Sequence, residues 1–166
     1  TSVPLPDSLS SERTDLSPRQ VGLILFALTL GGFAIGTGEF ASMGLMPNMV
    51  ASLGVTEPQV GHLISAYALG VVIGAPLLAI LGAGWKRKTL LLSLMGFYAL
   101  GNLASAIGAS YGSLLLFRFI AGLPHGAYFG VAALTAVAIS PPERRGRAVS
   151  MVMLGLTLAI LIGNPL

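Results

Sequence analysis

The chain alternates long apolar runs with short polar punctuation. Five runs, residues 21–46, 60–81, 90–107, 111–139 and 148–166, each approach the ~20 residues that a bilayer-crossing helix requires. Helices are predicted rather than strands, because spanning strands would show alternating segments of about ten residues and lipid leaves no backbone group unpaired. Glycines inside the runs fit this reading: Gly32 with Gly36, and Gly70 with Gly74, set small residues four apart, which lets helices approach closely. Residues 1–20 are different. They are rich in Ser and Pro, carry Asp7, Glu12, Arg13, Asp15 and Arg19, and show no apolar periodicity, so a disordered tail is expected. The tail lacks the apolar core of a secretory signal.

Composition agrees with the pattern. With 54% hydrophobic and 9% charged residues and a mean hydropathy of +0.86, the chain lacks the polar surface of a soluble domain. The expected class is an all-α, polytopic transmembrane bundle, with a cytoplasmic tail at 1–20 and a helical domain at 21–166. The formal charge of +3 resides in short loop clusters and does not stripe a helix, so nucleic acid is not an expected partner. The chain has no cysteine, which excludes disulfides, thiolate metal sites and a Cys nucleophile. No acid-rich metal motif and no phosphate-cradling GxxxxGK[ST] is present, and neither His62 nor His125 has a Ser or acid at catalytic spacing. No enzyme, metal or cofactor is expected.

The loops set orientation. Lys86, Arg87 and Lys88 separate spans two and three, and Arg144, Arg145 and Arg147 separate spans four and five, whereas the other two loops carry no Lys or Arg. By the positive-inside rule the amino terminus is cytoplasmic, with 47–59 and 108–110 outside, in a cell (inner) membrane. Anchoring topology is the ordinary role of such basic residues. The chain starts at Thr1 and stops at Leu166 inside an apolar run, so a piece of a longer protein is expected, one crossing short of a six-helix unit.

Only Glu39 and Arg118 place charge within the apolar runs. Glu39 lies eight residues before Pro47, about 12 Å below the boundary, and Arg118 lies about 10 Å below Tyr111 on the same side. A charge at the bilayer centre costs on the order of 2.5–3.5 kcal/mol on insertion scales, so two opposite charges at one depth suggest a shared cavity or an ion pair. The alternative is an Arg118 that snorkels and a Glu39 that is protonated and packed. Around Arg118, offsets of four, seven and eleven residues bring Gly122, His125 and Phe129 onto one stripe, a plausible cavity lining. His125 could equally make an interhelical hydrogen bond, and Phe129 could simply pack. Pro124 removes a backbone donor beside them. Tyr67, on a face with Gly70 and Gly74, can reach a substrate or bridge helices. Phe40, beside Glu39, joins these lining candidates.

These residues carry a family resemblance. Four stretches in order, GEFASMGLMPNMVASLGV, AYALGVVIGAPLLAILG, LLFRFIAGLPHGAYFGV and GLTLAILIGNPL, resemble the amino-terminal half of major facilitator superfamily transporters. The match is to the drug:proton antiporter branch, near the sugar-efflux (arabinose-efflux-like) permeases. The resemblance implies a half built as two inverted three-helix repeats, with spans one and four as lead helices. It further implies proton coupling by Arg118, followed four residues later by Gly122, and by Glu39 as the embedded acid of span one. It implies an antiporter motif over Gly155, Gly163 and Pro165, and a gating set of Gly74, Lys86, Arg87 and Lys88. Gly82 stands where many members have Asp, and Trp85 where they have Gly, which puts the usual cytoplasmic gating contact in doubt. The implied activity is proton-driven antiport of a small molecule such as a sugar or drug, with the proton gradient as energy source. The implied partners are substrate, protons, lipid and a carboxy-terminal half. The alternative is an interaction-only membrane module, and the length of the natural reading frame discriminates the two.

Overall fold

A computed structural model describes residues 16–108 and 110–163 of the protein, and among these every regular element is helical. The elements are α1 (Pro18–Gly44), α2 (Met46–Leu53), α3 (Glu57–Leu81), α4 (Arg87–Ala106), α5 (Tyr111–Ile139) and α6 (Arg145–Leu158). A short 3-10 turn, Pro142–Arg144, precedes α6, and a π turn, Ala159–Gly163, continues it. Among the described residues, five helices are long and apolar enough to cross a membrane.

Local chemistry sets the helix starts. Ser17 caps α1 reciprocally with Gln20, and Pro18 occupies the first turn, where its missing N–H is no loss. The tail expected over 1–20 therefore gives way to helix at Pro18; its residues 1–15 lie outside the described part. Thr56 with Gln59 starts α3, and Ser110 with Ser113 starts α5. Two further boundaries differ from expectation. Residues 47–59 are not a plain connection: Pro47 cannot donate within a continuing helix but is tolerated in a first turn, so α2 begins there as a separate element. It ends at Gly54, whose φ of 63° is left-handed. At the other face, the helical starts at Arg87 and Arg145 draw most of both basic clusters into first turns.

Large apolar side chains point outward along the helices, among them Leu23, Phe26, Ile80, Leu100 and Ile107, each more than 60% exposed. Such a surface is suited to lipid. Inside, glycines let helix backbones meet, most closely at two crossings. A Cβ added to Gly70 or Gly74 of α3 would strike the carbonyl of Phe119 or Leu123, and one on Gly122 of α5 would strike that of Tyr67. On the other side of the bundle a Cβ on Gly155 of α6 would strike the Thr29 carbonyl of α1. The Thr29 hydroxyl donates to Met151 across this crossing, and to Leu25 within its own helix. Small residues thus replace the hydrophobic effect, which does not operate between helices in lipid.

Candidate functional site

The halves of α1, α3, α4 and α5 remote from the basic clusters, as far as the midpoint of α5, hold a connected set of polar side chains. Glu39 sits five residues before the end of α1, and its Oε2 lies 3.7 Å from Nδ1 of His125 on α5. The Tyr67 hydroxyl of α3 lies 2.9 Å from the same nitrogen. The Arg118 guanidinium stands over the Tyr67 ring, 5.6 Å from its centroid, a cation–π geometry. Its Nη2 also donates to Oδ1 of Asn102 on α4 at 3.0 Å. Asn102 donates back to the Tyr98 carbonyl, and the Tyr98 hydroxyl donates to the Ile35 carbonyl of α1. The set therefore runs acid, imidazole, phenol, guanidinium and amide across four helices.

Burial grades along this chain. Arg118, His125 and Tyr67 are buried, whereas a quarter of the Glu39 side chain is accessible. Among the described contacts the ion-pair partner of Glu39 is His125, and Arg118 is joined to it through Tyr67. Nδ1 of His125 can accept from Tyr67 or, when protonated, face the carboxylate, so one nitrogen has two competing neighbours. Tyr67→Phe keeps the ring beneath Arg118 and removes only the hydroxyl. It is expected to lower stability by about 1 kcal/mol and to shift the Nδ1 resonance of His125 in ¹⁵N NMR; an unmoved resonance would show that the contact does not form.

The remaining expected site residues fall in different places. Phe129 is buried, 5.2 Å centroid to centroid from His125 and 5.7 Å from Tyr128, and its ring edge abuts Gly32 of α1. It closes the α1–α5 contact. Gly122 and Gly74 serve the α3–α5 crossing, so Gly122 is a packing position and Gly74 is within α3, not in the basic loop. Phe40 is half-buried and takes no part in the described ring contacts. Lys86 is exposed, Arg87 donates to the Leu134 carbonyl at 3.3 Å, and Lys88 lines an apolar hollow of about 800 Å³ between α1, α4 and α5. Gly155 lies in the α1–α6 crossing, Gly163 ends the π turn, and Pro165 lies outside the described residues. Among the described residues no group of three or more His, Asp or Glu is arranged to hold a metal. Tyr98 and Asn102 were not foreseen; their spacing of four on span three was the available signal.

The family model described as Major Facilitator Superfamily matches residues 28–166. The chain belongs to the major facilitator superfamily. It is 43% identical over 141 residues to "Inner membrane transport protein YdhP" of Escherichia coli (strain K12), covering 85% of this chain and 36% of that protein. It is 38% identical over 146 residues to a "Chloramphenicol resistance protein" of Streptomyces lividans, covering 86% and 36%. A "Probable sugar efflux transporter" of Helicobacter pylori (strain ATCC 700392 / 26695) is 30% identical over 142 residues, again at 86% and 36% coverage. The chain thus spans a little over a third of the length of these relatives. The membership also explains the two glycine crossings. If spans one to three are repeated by four to six, exchanging the repeats turns the pairing of span one with five into that of four with two, and these are the α1–α6 and α3–α5 crossings observed.

Proposed function

We propose that the whole protein is a proton-coupled exporter of a small molecule such as a sugar or drug, working by alternating access, with its amino terminus in the cytoplasm. The observation that carries this reading is the Glu39–His125–Tyr67–Arg118 chain, placed across three apolar helices and more open to its surroundings at the acid than at the guanidinium. Intramembrane ionisable residues that face one another across helices are the parts from which proton relays are made. Glu39 is the exchanging acid. With its proton it is neutral beside His125; without it, the carboxylate draws a protonated Nδ1, which must leave Tyr67. Moving that contact changes what the Tyr67 ring and Arg118 present to a substrate, so proton release and substrate exchange are linked through one imidazole. Asn102, Tyr67 and His125 offer donors and acceptors suited to hydroxyl-bearing neutral compounds, a class consistent with the sugar and chloramphenicol named for the relatives. Rocking of the two halves about this site exposes it to each face in turn. The driving force is the proton gradient, and no other cofactor takes part.

The test is efflux from vesicles carrying the full-length protein with an imposed pH gradient. Export of the transported sugar or drug should accelerate with an outward-to-inward proton gradient and stop when an ionophore collapses it. Equal rates with and without the gradient would remove proton coupling from the reading.

A further inference from the structure

At the opposite end of the bundle, on the face that carries the basic clusters, the start of α1, the end of α5 and the start of α6 enclose a cavity of about 380 Å³. Its walls are apolar, formed by Val21 and Leu25 of α1, Ile139 of α5 and Met151 of α6, and its rim carries Arg144 and Arg147. The two arginines are three residues apart, across the 3-10 turn and the first turn of α6, which brings them to one side. Both are exposed, and among the described residues neither makes an ion pair or a side-chain hydrogen bond; Glu143, their neighbour in sequence, does not pair with them.

A greasy hollow beneath two exposed guanidiniums, at the level where helices leave the bilayer, selects its ligand by exclusion. An inorganic anion would satisfy the charges and leave the apolar wall unfilled. A neutral apolar molecule would fill the wall and leave the arginines idle. An amphiphile with an anionic head does both, and a cavity large enough for about a dozen water-sized groups has room for a phosphate head and the first methylenes of a chain. Arg is the residue suited to phosphate, through its planar donor fork. We propose that this cavity binds an anionic phospholipid, its phosphate held by Arg144 and Arg147 and the start of its acyl chain lying against Val21, Leu25 and Met151.

The experiment uses the full-length protein in detergent, titrated with phosphatidylglycerol or phosphatidylcholine and read by native mass spectrometry. Phosphatidylglycerol should bind more tightly than phosphatidylcholine, and R144Q/R147Q should weaken it about thirtyfold, from the contribution of two basic residues. K86Q/K88Q, on the same face but outside the cavity, should leave it within about twofold. Gly22 lines the cavity and an added Cβ there meets nothing within 4 Å, so Gly22→Leu fills the hollow without altering charge and should also displace the lipid. Equal loss in K86Q/K88Q would mean diffuse attraction to a basic face and overturn the site. Unchanged binding in Gly22→Leu would overturn the cavity, and displacement of the lipid by millimolar inorganic phosphate would reassign the arginines to a free anion.

Discussion

Glu39→Gln in the full-length protein should abolish proton-driven export while leaving substrate exchange across the membrane intact. Glutamine preserves the shape of the side chain and its capacity to hydrogen-bond, but it holds no transferable proton and cannot become the anion that draws His125. Removing a positioned proton-transfer group acts on the scale of a hundredfold or more, so gradient-driven efflux should fall by about that factor. Counterflow of labelled substrate against unlabelled substrate, with no pH gradient, needs no net proton movement and should stay within a few-fold of wild type. The two assays together separate coupling from folding, because a misfolded variant loses both. Preserved gradient-driven efflux in this variant would remove Glu39 from the coupling step. Loss of both activities with normal membrane insertion would instead make Glu39 a binding residue.

The readable part of this protein is the part that lipid dictates. Runs of about twenty apolar residues must be helices, and the expected start and end of span four, 111–139, coincide with those of α5. Short amphipathic or interfacial pieces carry no such constraint, which is why α2 reads as a connection until Pro47 is seen at its start. Depth along a helix was countable, because it follows from a rise of 1.5 Å per residue. Azimuth was not. Counting puts Glu39 and Arg118 on one level, but which neighbour each faces depends on how far each helix is rotated, and that is fixed by the glycine crossings. The Gly70–Gly122 contact sets α3 against α5 so closely that Tyr67 comes between Arg118 and His125. Among the described contacts, Tyr67 links the two charges that the sequence puts in a shared cavity or an ion pair. Tyr98 and Asn102 do not stand out in the sequence, because a lone Tyr and a lone Asn in an apolar span look like ordinary interhelical contacts. Only the fold brings them beside Arg118 and Ile35.

That dependence makes the α3–α5 crossing a sensitive structural position. Gly122→Leu should destabilise the bundle by about 3 kcal/mol or more, at or above the upper end of what overpacking a core produces. The obstacle is backbone: the new Cβ meets the Tyr67 carbonyl and lies near the Val71 amide, and neither can rotate away as a side chain would. The helices must separate, and separation also pulls Tyr67 from beneath Arg118 and away from His125. Gly130 provides the internal control. It is on the same helix, eight residues further on, it is exposed, and an added Cβ there meets nothing within 4 Å. Gly130→Leu should accordingly melt with wild type, while Gly122→Leu should melt well below it or fail to accumulate in the membrane. Thermal unfolding of the detergent-purified full-length protein, followed by tryptophan fluorescence or circular dichroism, measures both. If the two leucine variants melted alike, the close backbone contact between α3 and α5 would not exist, and the placement of Tyr67 that depends on it would fall with it.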